Sequence, residues 1–318
     1  MNSARKEISK RVIITGATGF IGNALCRELI EGGYETVGLS RNPEMGKKLL
    51  PDQVKVVKWD TKSGQGWANY ADGAYAIVNL AGENIASGGW TKERKKRILQ
   101  SRLDAGRAVV EAVEKVKNKP SVIIQASGIG YYGDCGDQIL DETSSPGSGF
   151  LVEVAKQWEK TTQKVESFGV RQVIIRTGVV LGKEEGFLTR VILPYRFFVG
   201  GHMGSGRQWV PWIHIEDEAR AIRFLMEKKD LQGAFNLSSP HPLTSRDFSK
   251  VLGKVMKKPA WLPVPGFVLR LLLGEMASEL ILSGQRALPK KLLESGYEFI
   301  YPELEPALRE ILDVSPHS

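Results

Sequence analysis

Cysteine is nearly absent: Cys26 and Cys135 are the only two in 318 residues. One sits in an apolar helical pattern and one in a loop. That excludes a disulfide scaffold and fits free thiols in a reducing compartment. The four histidines are scattered with no ligand spacing, so no metal site is expected. Long apolar runs are also lacking. Phe267 to Leu273 is short and broken by Arg270, well below membrane-spanning length. The first ten residues are polar and hold no apolar core of a secretory leader. A cytoplasmic protein with no membrane partner is the expectation. Repeats and low-complexity tracts are missing. So is an extreme charge: 44 basic against 36 acidic residues leave +8, which suits an anionic small ligand and makes nucleic acid an unlikely partner.

What is present is a glycine-rich turn near the start, Val12-Ile13-Ile14-Thr15-Gly16-Ala17-Thr18-Gly19-Phe20-Ile21-Gly22. A β-branched strand leads into it and a helix leads out. Gly16 allows a sharp turn off the strand. Gly19, without a Cβ, lets backbone N–H groups approach a pyrophosphate. Gly22 permits close packing of the helix. The helix from Phe20 then directs its positive end at the phosphates. Thr15, Thr18, Phe20 and Ile21 belong to this cofactor-binding turn.

Strand and helix patterns alternate down the chain. Strands are expected at Tyr34–Leu39, Val54–Trp59, Tyr75–Leu80, Val122–Ala126 and Gln172–Arg176. Helices are expected at Thr91–Val116 and Phe150–Phe168, with a polar loop from Gly133 to Gly149. The first of these helices should bury Leu99, Leu103, Val109, Val110, Val113 and Val116. The fold class is α/β: a Rossmann-like, doubly wound parallel sheet with a smaller, mostly helical C-terminal substrate domain. Residues 1–182 form the dinucleotide-binding domain and 183–318 the substrate lobe, of which about 234–238 returns to the sheet.

An acid at the end of the second strand would bind the ribose diol of NAD. Here the chain reads Gly38-Leu39-Ser40-Arg41-Asn42. Arg41 offers a forked cation to a 2′-phosphate and Ser40 a hydroxyl, which selects NADP. Asp60 either accepts from the adenine amine or starts the turn Asp60-Thr61-Lys62. Leu80, Ala81 and Gly82, after the fourth strand, let the backbone pass beneath the adenosine. For the substrate wall, Asn84, Trp90 and Arg102 come from one side. Arg207 and His214 come from the stretch Gly204 to His214. Arg207, between glycines and tryptophans, suits an anionic ligand. His214 offers acid–base chemistry or only hydrogen bonds at a junction. Asp141 and Glu142 are expected at the solvated surface, as is the run Lys92-Glu93-Arg94-Lys95-Lys96-Arg97.

Together, Thr15 to Gly22, Asn79-Leu80-Ala81-Gly82 and Tyr131-Tyr132-Gly133-Asp134 resemble the extended and atypical short-chain dehydrogenase/reductases. Ala81 to Ile85, Ser101-Arg102, Arg176 to Gly182 and Pro211 to Asp217 are similar to the epimerase branch known as family 39U. Trp261 to Leu312 resembles the small domain of unknown function that closes those proteins. The resemblance implies a Rossmann fold, bound NADP(H) and a small polar or nucleotide-sugar-like substrate. Plant and cyanobacterial members have been linked to plastid and cell division. The superfamily's proton relay needs a tyrosine four residues before a lysine. Here Val152 precedes Lys156. Aligning instead on Glu159 puts Leu151 and Ala155 in those places. The remaining catalytic candidates are Ser127, Tyr132 and Lys156, with Tyr131 on the substrate wall. Two functions follow: an NADP(H)-dependent oxidoreductase or epimerase, or a non-catalytic NADP(H)-sensing regulator linked to division. Monomer and homodimer are equally compatible.

Overall fold

The structure is a computed structural model that describes residues 10–183 and 185–315. Of the first ten residues, on which the expectation about a leader rests, 1–9 lie outside this range. The strands are β1 (Arg11–Thr15), β2 (Glu35–Ser40), β3 (Lys55–Lys58), β4 (Ala76–Asn79), β5 (Val122–Gly128), β6 (Ile139–Leu140), β7 (Arg171–Thr177), β8 (Val179–Leu181), β9 (Trp209–Val210), β10 (Trp212–His214), β11 (Gly233–Leu237), β12 (Leu243–Thr244) and β13 (Arg286–Ala287). The helices are α1 (Phe20–Glu31), α2 (Pro43–Leu49), α3 (Ala68–Ala71), α4 (Lys92–Lys115), α5 (Phe150–Lys160), α6 (Phe187–Arg196), α7 (Ile215–Glu227), α8 (Ser245–Met256), α9 (Gly266–Leu273), α10 (Glu275–Leu280), α11 (Lys290–Glu294) and α12 (Leu304–Ile311).

Seven strands form one parallel sheet in the order β11-β7-β5-β4-β1-β2-β3. In the central strands residues 12–14, 76–78 and 122–124 are continuous apolar runs because both faces are covered. Val12, Ile14, Val78, Ile124 and Ile175 face a core shared with α1 and α7. Ile13, Ile77 and Ile123 face the core under α4. Strand order reverses between β1 and β4. In such sheets the crevice beyond the carboxyl ends at this reversal is where ligands bind. A third cluster joins Leu181, Leu188, Tyr195 and Trp212 to Phe248, Leu252, Leu304 and Leu308.

Three expectations change. The helix from Phe150 stops at Lys160, and Gln163–Phe168 is a separate 3₁₀ turn. Thr161 Oγ1 donates to the Trp158 carbonyl at 2.6 Å, so a hydroxyl competes with the backbone ladder there. The loop from Gly133 to Gly149 holds β6, which pairs with β13 from the far end of the chain. On α4, Ile98, Arg102, Ala105 and Gly106 are buried, whereas Leu99 and Leu103 are only half-buried. The face turns because Arg102 lies over the Trp158 ring at 4.7 Å. Gly106 admits Thr161: a Cβ there would fall 2.1 Å from its Oγ1.

Candidate functional site at the carboxyl end of the sheet

The turn after β1 is built by contact. Gly16 adopts φ +70, and a Cβ on it would stand 3.1 Å from backbone atoms of Leu80 and Ala81. A Cβ on Gly22 would lie 2.3 Å from the Gly16 carbonyl oxygen. Gly22 therefore packs α1 onto the turn itself. Gly19 is the N-cap of α1; no side chain caps this end and its first turn holds no acid. Its amide dipoles are thus left for an anion. Thr15 is fully buried; its Oγ1 donates to Asn79 Oδ1 at 2.7 Å and accepts from the Ala81 amide at 3.1 Å. Its hydroxyl thus holds the start of the β4 loop, including Leu80, Ala81 and Gly82, against the turn. Phe20 lies against Gly182 and Gly186, where added Cβ atoms would stand 2.6 and 3.3 Å from its ring. Ile21 packs on the core, and Thr18 stays half-exposed.

Because β1 and β2 pair in parallel, with Thr15 opposite Leu39, the β2 end lies beside this turn. Ser40 Oγ bonds the Asn42 backbone, donating to its carbonyl at 2.9 Å. Arg41 is exposed and makes no ion pair among the described residues. Asp60 accepts from the Lys62 and Ser63 amides at 2.8 and 2.9 Å and from the Ser63 hydroxyl at 2.8 Å. Slight burial pushes its carboxyl up, but these bonds outweigh it and hold the group below the usual range. The geometry is that of the turn-starting aspartate.

Beyond β4 the loop is anchored by Glu83. Its carboxylate pairs with Arg94 and, at 3.4 Å, with Arg97. Lys95 pairs with Glu275 at 2.8 Å. Arg94 and Lys95 are therefore paired within the fold, whereas Lys92, Glu93, Lys96 and Arg97 stay exposed, as a solvated face requires. Arg102 is buried and donates to the carbonyls of Glu83 and Ile98 at 3.0 and 2.9 Å. Burial pulls its guanidinium down to about 10. It is buried beneath the loop and clamps it through those two carbonyls, whereas the sequence placed it on the substrate wall. Asn84 is exposed and accepts from the Ala86 amide. Trp90 donates to the Ile85 carbonyl and meets the Phe150 ring edge-on at 5.0 Å.

A buried network spans the ends of β5 and β7 beneath α5. Ser127 Oγ donates to Glu159 Oε1 at 2.7 Å. Arg176 donates from Nε and Nη2 to the two Glu159 oxygens at 2.9 and 3.0 Å, and from Nη1 to the Tyr132 hydroxyl at 3.0 Å. Tyr132 passes its own hydrogen to Asn236 Oδ1 at 2.8 Å. The Tyr131 ring lies 3.5 Å from the Arg176 guanidinium carbon. Burial disfavours the charged guanidinium, but Glu159 and Tyr132 overcompensate and hold Arg176 above its ordinary range. Burial raises Tyr132, against the pull of Arg176. Tyr132 is 0% exposed, so the structure replaces a proton donor at the mouth with an interior strut. Lys156 extends to Glu153 at 2.9 Å on its own helix. It also lines, with Tyr131, Glu159, Lys160 and Gln172, a cavity of about 390 Å³ behind the network.

Glu159 and Arg176 were not among the sequence candidates. The available signal was a charge inside a strand covered on both faces, Val173 to Thr177, which requires a partner.

Further round, His214 is 2% exposed and caps α7, accepting the Glu216 amide on Nδ1 at 3.2 Å. Its Nε2 meets Glu310 at 2.9 Å. Both nitrogens are used structurally, which corrects its place on the substrate wall. Arg207 is exposed beside the Ser205 turn. Glu142, expected at the surface, is half-buried and accepts from the amides of Asn236 and Lys291, tying β11 to α11. Glu218 is wholly buried; Thr177 donates to its Oε1 at 2.7 Å, Oε2 has no partner, and burial pushes its carboxyl up to about 8.

The profile of the NAD-dependent epimerase/dehydratase family matches residues 12–238, and that of DUF1731, a domain of unknown function, matches 264–311. "Epimerase family protein YfhF" of Bacillus subtilis is 41% identical over 302 residues, covering 95% of this chain and 97% of its own. The chloroplastic SDR39U1 homologue of Arabidopsis thaliana is 37% identical, covering 98% and 89%. The crystal structure of human SDR39U1 (isoform 2) with NADPH superposes with a TM-score of 0.86 at 33% identity, covering 95% and 99%.

Proposed function

The chain belongs to the NAD-dependent epimerase/dehydratase family, and we propose that it binds NADP(H) and acts on a small polar metabolite of the nucleotide-sugar kind. One observation carries the coenzyme reading. An uncapped, acid-free helix start on the glycine turn lies beside a strand end that offers an exposed arginine where a carboxylate would select NAD. The glycine cradle fits a pyrophosphate, since a Cβ at Gly16 or Gly22 would collide with backbone. Gly16, Gly19 and the start of α1 would hold the phosphates, and Arg41 with Ser40 the 2′-phosphate. The NADPH in the human relative supports this. When bound, the coenzyme supplies or accepts hydride.

The usual tyrosine–lysine relay is missing, because Val152 precedes Lys156 by four residues. Tyr132 cannot take its place, since its hydroxyl is committed to Asn236 and Arg176. Ser127 Oγ donates to Glu159, which leaves its oxygen to accept from a substrate hydroxyl; that positions the substrate and supplies no proton. Turnover of a carbonyl and sugar-nucleotide panel with NADPH tests this. Ser127→Ala should cut the rate at least a hundredfold with coenzyme affinity unchanged. An unchanged rate refutes the role of Ser127.

A second reading, a regulator that responds to NADP(H), is favoured by the engagement of Lys156 with Glu153 and of Glu159 with Arg176. Tight NADPH binding with no hydride transfer across the panel would support it.

A further inference from the structure

The C-terminal part of the chain displays an apolar surface that no packing explains. Phe197 is 70% exposed, Phe198 55%, Trp261 66%, Phe267 70%, Leu271 84% and Leu272 72%. These residues come from three segments that lie together. Residue Gly200 bridges to Ala260 and Met203 to Val264, so the stretch after α6 runs alongside the stretch that leads into α9. Trp261 Nε1 donates to the Phe198 carbonyl at 3.2 Å, and the Leu262 amide to the Gly200 carbonyl at 3.0 Å. Helix α9, with Phe267, Leu271 and Leu272, begins two residues after Val264.

The same segments carry charge of one sign only. Residues 186–215 and 248–274 contain no aspartate or glutamate. Arg196, Lys257 and Arg270 are exposed there and make no ion pair among the described residues. Lys258 lies 3.6 Å from the Phe198 ring centroid, covering its face. We propose that this patch is a docking surface for an anionic lipid bilayer, on which the protein sits peripherally. The apolar side chains protrude. A groove would shelter its lining, and a rigid partner would need concave complementarity. A deformable interface accepts projecting Phe, Trp and Leu side chains while the surrounding cations meet lipid phosphates. A second copy of the chain would bring like charges together. No helix of the described residues is long and apolar enough to span a bilayer, and spanning length has no bearing on surface attachment.

The test is flotation of the full-length protein with vesicles of phosphatidylcholine alone or mixed with phosphatidylglycerol, at low and high salt. Floating with the anionic vesicles only, with at least a tenfold loss at high salt, is the expected result. The double variant Leu271→Glu/Leu272→Glu and the double variant Lys257→Glu/Lys258→Glu should each lower the floating fraction at least tenfold. NADPH affinity should be unchanged in both, because these residues lie outside the glycine turn. Three results would overturn the proposal: no flotation of the wild type, equal flotation with both vesicle types, or a stable dimer that Leu271→Glu/Leu272→Glu separates into monomers.

Discussion

Glu159 and Arg176 form a two-pronged ion pair at 2.9 and 3.0 Å, almost wholly shielded from water, at the carboxyl ends of the central strands. Ser127 hangs from one end of this pair and Tyr132 from the other. The pair fixes the geometry of both hydroxyls.

Removing one member should therefore be far worse than removing both. Arg176→Met leaves a buried, unpaired carboxylate and should cost about 3–5 kcal/mol. The double variant Glu159→Leu/Arg176→Met should recover much of that loss. Urea denaturation of Arg176→Met, Glu159→Leu and the double variant, each against the wild type, reads the difference. Additive losses would show that the two residues are not coupled.

Arg41→Ala should weaken NADP(H) at least tenfold while leaving NAD(H) little changed, since a charge-assisted bond is worth about 1.5–3 kcal/mol. Titration by tryptophan fluorescence checks it. Equal losses for both coenzymes would remove Arg41 from the 2′-phosphate.

Gly22→Ala should damage the fold as well as the site, because its Cβ would meet the Gly16 carbonyl at 2.3 Å. A cost of about 1–3 kcal/mol is expected from such overpacking. Gly19→Ala, with a nearest contact of 3.3 Å, should leave thermal stability nearly intact and reduce coenzyme affinity. A thermal melt with and without NADPH separates the two effects.

Glu218 gives stability a pH dependence with a definite sign. Burial raises its carboxyl from 4.5 to about 8, so the folded protein keeps a proton that the unfolded chain releases. The stability that this proton supplies is full below about pH 4.5 and falls as pH rises to about 8. Glu218→Gln keeps an acceptor for Thr177 and cannot ionise. Its melting temperature should change less than that of the wild type between pH 5 and pH 8. Parallel curves would mean that Glu218 does not titrate in this window.

The glycine turn, the alternating apolar strands and the absence of an acid after the second strand could all be read along the chain. Each depends on neighbours within a few residues: φ freedom at Gly16, short apolar runs in the strands, and the charge at position 41. Tertiary structure alone decided which polar groups meet. Arg176 finds Glu159 across a helix and a strand. His214 spends its ring on a helix cap and on Glu310, 96 residues away. Tyr132 and Arg102 look like mouth residues in one dimension and are buried in three. Backbone conformation follows from local sterics. The partner and exposure of a side chain follow from how distant segments close around it, and no spacing in the sequence encodes that.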